Sequence, residues 1–67
     1  MTAAEFELLN ETEAERILCW RFSELHSAGY EWDEALELAT HVDIDLHRAT
    51  ELVARGCPTG TAVRILL

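Results

Sequence analysis

The chain has 67 residues, a formal net charge of −8 and five cations, all of them Arg. That length holds one domain with a small core and modest stability, and a hydrophobic share of 49% excludes a disordered chain. The negative charge and the absence of Lys disfavour nucleic acid, whose phosphates call for clustered Lys or Arg, and no stretch reaches the roughly 18 apolar residues of a membrane span.

The charge is uneven. Residues 1 to 37 hold ten acids against Arg16 and Arg21, whereas residues 38 to 67 hold Asp43, Asp45 and Glu51 against Arg48, Arg55 and Arg64. The first half therefore reads as an acidic surface, suited to a basic protein partner or simply to solubility. The second half is neutral and more apolar.

Residues 1 to 11 form an acidic segment without a strong period, which either docks through Phe6, Leu8 and Leu9 or frays. Thr12-Glu13-Ala14-Glu15 reads as a capping box that starts a helix. Ala14, Ile17, Leu18, Phe22 and Leu25 follow at helical spacing as one apolar stripe. Gly29 stops this helix in a left-handed conformation. Tyr30-Glu31-Trp32 reads as a turn, and Asp33 as the N-cap of a second helix with apolar residues Ala35, Leu36, Leu38, Ala39 and Val42. Asp43 or Asp45 caps a third helix, with Leu46, Ala49, Leu52 and Val53 on its core side and Gly56 at its end. Pro58 suits the first turn of a fourth, which carries Ala62, Val63, Ile65, Leu66 and Leu67. The expected fold is all-α: residues 12 to 67 as a single domain of four short helices, arranged as two helix–Gly–helix hairpins.

An internal similarity at an offset of 27 supports that arrangement. Glu24-Leu25-His26-Ser27-Ala28-Gly29 aligns with Glu51-Leu52-Val53-Ala54-Arg55-Gly56, and Ala35 falls on Ala62. Two copies fall short of a solenoid, and any two helix–Gly–helix units look somewhat alike.

The sequence carries little that chemistry could use. His26, His41, His47, Cys19 and Cys57 show no zinc-ligand spacing, so no metal or other cofactor is expected. A Cys–His hydrolase needs a cleft and an oxyanion hole that four short helices rarely enclose, and the carboxylates read as solvated faces, so no enzyme is expected. Gly56-x-x-x-Gly60 lacks the Lys that a phosphate loop needs. A helix-turn-helix reader needs more than the His47, Arg48, Thr50, Glu51 and Arg55 that the third helix offers. Without a signal-peptide pattern, the two thiols are expected to be reduced, in the cytoplasm.

Leu25-His26-Ser27-Ala28-Gly29-Tyr30, then Ala35, Leu38-Ala39, Asp45-Leu46-His47-Arg48-Ala49 and Leu52-Val53 together resemble ubiquitin-associated (UBA) domains. The likeness covers residues 25 to 53. It implies a compact three-helix module that binds a protein. Ala28 stands where that family carries a partner-contacting Met, and a further helix follows, so the implied partner is not ubiquitin in particular.

The aromatics point the same way. Trp20 lies off the apolar stripe and Trp32 falls in the expected turn, where large aromatics serve either as interface anchors or as cover for a helix end. Ala28, Gly29, Tyr30, Trp32, Leu52 and Val53 are therefore the expected contact patch of a small acidic adaptor. The alternative is a homo-oligomeric structural protein, to which Ile65-Leu66-Leu67 would contribute an apolar face.

Overall fold

The computed structural model describes all 67 residues. The chain is helical throughout, with five helices: α1 (Ala3–Glu7), α2 (Glu11–Ala28), α3 (Trp32–Thr40), α4 (Leu46–Ala54) and α5 (Thr59–Leu66). The count of four is thus corrected to five. The extra helix comes from Thr2-x-x-Glu5, a capping box in which the Thr2 hydroxyl accepts from the Glu5 amide at 3.1 Å. α1 buries no residue.

Two further starts differ from expectation. α2 begins at Glu11, because the Asn10 side-chain oxygen accepts from the Glu13 amide at 2.8 Å and its amide nitrogen donates to the Glu13 carboxylate at 3.1 Å. Asn is the stronger N-cap, and Thr12 is carried into the helix. α3 begins at Trp32, with the Glu31 amide donating to Glu34 Oε1 at 2.9 Å. Asp33 therefore sits in the first turn, where its charge complements the helix dipole, and Trp32 is a helical residue rather than a turn residue. Of the two candidate caps for α4, Asp45 serves, accepting from the His47 amide at 2.9 Å.

The stops follow the glycines. Gly29 has φ +125° and Gly56 φ +95°. At each, paired bonds close a Schellman turn: Tyr30 N–H to Leu25 C=O with Gly29 N–H to His26 C=O, and Cys57 N–H to Leu52 C=O with Gly56 N–H to Val53 C=O. The residues at offset 27 thus share one backbone device, at the ends of α2 and α4.

α2 packs on α3 and α4, and α5 packs on α3 and α4. Where they meet lies a core of Leu25, Tyr30, Ala35, Leu38, Ala39, Ala49 and Ala62. Its alanines let the helix backbones approach closely. Tyr30, the largest fully buried side chain, fills the centre, and its hydroxyl donates to the Ala49 carbonyl at 2.7 Å. At 18 residues, α2 is twice as long as α3 or α4. Its N-terminal half runs beyond the core, which gives the molecule its 36 × 18 × 17 Å extent.

Arg21 is the exception to a surface of charged residues. Only 5% of it is exposed. Its Nε donates to the Ala39 carbonyl at 3.3 Å, and its Nη2 donates to His41 at 3.2 Å and to Ile44 at 2.9 Å. A guanidinium from α2 thereby bonds carbonyls at the end of α3 and in the following turn, and it shares that of His41 with the Ile44 amide. Burial lowers its pKa, while Asp43 and Asp45 work in the opposite direction; the group remains a cation throughout the ordinary pH range.

Candidate functional site

On α2, Leu18, Cys19 and Phe22 fall on one side of the helix, and on α3, Trp32 and Leu36 are one turn apart. The packing of α2 against α3 brings the two sets together. They line a shallow groove of about 270 Å³ whose five lining residues are all apolar. Trp32 is 61% exposed and Leu36 45%. The Trp32 ring meets Phe22 edge-on, with centroids 5.6 Å apart, and Phe22 stacks on His26 at 5.7 Å. Trp32 is therefore held by its neighbours while most of its surface faces solvent.

The groove edges are acidic. Glu11 and Glu15 continue the Leu18–Phe22 line toward the start of α2, and Asp33 and Glu37 form the ridge beside Trp32 and Leu36. All four are exposed. The one ion pair within the chain, Arg55 with Glu51 at 2.6 Å, lies on α4. Arg21, one of only two cations in this half, is turned inward onto carbonyls. The field around the groove is accordingly negative.

The contact patch expected from sequence is split. Tyr30 is withdrawn into the core, 1% exposed, so it is corrected from a contact residue to a core residue. Burial, with Cys57 and Glu34 nearby, raises its pKa. Gly29 and Val53 adjoin, since a Cβ at Gly29 would lie 3.3 Å from Val53 Cγ1. Ala28 lies near His47, Thr50, Glu51 and Ala54 in a separate shallow depression, and Leu52 lies with Arg48, Glu51 and Arg55. Of the six residues, only Trp32 lines the apolar groove. Sequence reading had placed Leu18, Phe22 and Leu36 in the core. The signal that could have found them is the pair of i,i+4 apolar couples, Leu18–Phe22 and Trp32–Leu36, each offset from the buried stripe of its helix.

A larger cleft, about 580 Å³, lies between α2 and the turn before α4, lined by Met1, Ile17, Trp20, Arg21, Asp43, Ile44, Asp45 and Leu46. Its one buried polar group, Arg21, already donates to backbone carbonyls. No three His, Cys, Asp or Glu side chains gather where they could hold a metal, and no helix is long and apolar enough to cross a membrane. The chemical capacity of the α2–α3 groove is to bury apolar side chains. The only side-chain heteroatoms of its lining residues are the Trp32 indole nitrogen and the Cys19 sulfur.

No protein-family model, no curated protein and no solved structure matches the chain.

Proposed function

We propose that the protein is a non-catalytic protein-interaction module whose contact face is the α2–α3 groove. The observation that carries this reading is a contiguous, fully apolar groove, held open to solvent on a chain with net charge −8. A small acidic domain gains nothing for its own stability from leaving Trp32 and Leu36 exposed, and exposed apolar patches rimmed by polar residues mark binding surfaces. The likeness to UBA domains belongs to the same proposal. It is supported by the Gly29 turn and by the meeting of Leu25, Ala35, Leu38 and Ala49 in one core. So does the two-hairpin description of the fold, supported by the paired Schellman turns, and so does a cytoplasmic setting, supported by two unpaired thiols, Cys19 and Cys57. The acidic surface supports a protein partner rather than nucleic acid.

Affinity capture from the native cell's lysate, with wild type and with Leu36→Glu as baits, tests the reading. The expected result is one dominant protein, retained by wild type and lost from the variant. A bound set unchanged by Leu36→Glu would remove the groove, and recovery of the bait alone would remove the adaptor.

One observation favours a second reading, self-association through α5. Ile65 is 50% exposed and Leu67 53%. Sedimentation velocity over a hundred-fold concentration range decides it. A monomer throughout rules it out, and a dimer abolished by Ile65→Glu would establish it.

A further inference from the structure

Resting on that reading, we infer that the groove receives one apolar face of a basic amphipathic helix of the partner protein. The inference begins with what the groove lacks. Its walls are the side chains of Leu18, Cys19, Phe22, Trp32 and Leu36, presented by two helices, with no strand edge along which an added strand could pair. An extended peptide laid there would bury its own N–H and C=O groups without partners, at a penalty for each. A helix arrives with its backbone bonds already made and offers only side chains. The walls are themselves two packed helices, so a third helix along the groove makes an ordinary helix–helix contact.

The charges select the sign of that helix. Glu11, Glu15, Asp33 and Glu37 stand around the groove, all exposed, none in an ion pair within the chain. A helix with Lys or Arg beside its apolar stripe meets them favourably on encounter and in the complex. The same charges disfavour a second copy as the occupant. In a two-fold interface centred on the groove, these acids would face their own equivalents. The chain has only five cations, and Arg21 and Arg55 are already engaged.

A phage-displayed library of random peptides of about sixteen residues, long enough for roughly four helical turns, tests this directly. Wild type is the target, and Leu36→Glu is used for counter-selection. Leu36 is 45% exposed and helical, so the variant is expected to fold, and its circular dichroism verifies that. The selected peptides are expected to carry net positive charge and apolar residues at i, i+3 or i+4, and i+7. Their affinity is expected to fall about tenfold or more on Trp32→Ala, as for an anchor aromatic, and to weaken with added salt. Binders that are acidic, that alternate with a period of two, or that ignore Leu36→Glu would overturn the inference, as would the absence of any binder. Lysate capture that depends on Leu36 while the library yields no basic helix would leave the interaction module standing and remove only its helical partner. A wild-type dimer that Leu36→Glu dissociates would replace that partner with a second copy.

Discussion

Replacing Arg21 with Met removes the guanidinium and keeps much of the aliphatic stem. The side chain makes three bonds to carbonyls, at 2.9, 3.2 and 3.3 Å, with Nε and Nη2 as donors. Hydrogen bonds from a charged donor contribute about 1.5–3 kcal/mol each in buried settings. The longer two bonds fall at the low end, and two of the three acceptors border solvent and regain water once the donor is gone. Allowing for that, the loss is about 2–4 kcal/mol. At about 0.05–0.15 kcal/mol per residue, a domain of this size has roughly 3–10 kcal/mol in total. Arg21→Met is therefore expected to move the urea midpoint far down, followed by circular dichroism and by the fluorescence of Trp20 and Trp32. Arg21→Lys, which presents a point charge in place of a planar fork, is expected to lose more than half as much. An unfolding free energy for Arg21→Met within about 0.5 kcal/mol of wild type, the range of an ordinary surface change, would refute the structural role of this buried cation.

Three other outcomes follow from the same geometry. Gly29→Ala combines a φ of +125° with a Cβ placed 3.3 Å from Val53 Cγ1, whereas Gly56→Ala at φ +95° meets nothing within 4 Å. Both are expected to destabilise by about 1–2 kcal/mol from backbone strain, and the excess at Gly29, relieved by Gly29→Ala with Val53→Ala, reads the contact. Tyr30 binds its proton more tightly folded than unfolded, so its contribution is fully present below the ordinary value of 10.0 and is lost as pH rises through the folded value. Alkaline urea titrations are expected to show that fall in wild type and a shallower one in Tyr30→Phe. Tyr30→Phe at neutral pH, which removes the 2.7 Å bond to the Ala49 carbonyl, is expected to lose about 1 kcal/mol.

Most of the fold is legible in the sequence because it is written in local code. Gly29, Gly56 and Asp45 act where turn and cap chemistry places them, and the alanine register at 35, 49 and 62 marks the close helix approaches. The helix starts were harder to place, since this acidic stretch offers several overlapping caps. Thr2, Asn10 and Thr12 each have a Glu three residues on, and only the three-dimensional choice between them fixes α1 and α2. The site was the least legible part. Tyr30 and Trp32 are two residues apart and look alike as interface aromatics, but the Gly29 turn sends Tyr30 inward and leaves Trp32 on the outer edge of α3. Arg21 offered no signal, because its partners are carbonyls 18 to 23 residues away and carry no side-chain signature.

The groove holds its own reporter. Cys19 lines it and is exposed, while Cys57, between α4 and α5, lies outside it with its thiol 3.6 Å from the Pro58 carbonyl. The decisive measurement is the rate of thiol alkylation at each cysteine, read by mass spectrometry, for the isolated protein and for the complex recovered by affinity capture. A partner seated in the α2–α3 groove is expected to slow Cys19 markedly, because the core of an interface packs as densely as a protein interior and excludes reagent, and to leave Cys57 unchanged. Equal rates at Cys19 in the two states, or protection of Cys57 alone, would contradict the assignment of this groove as the contact face.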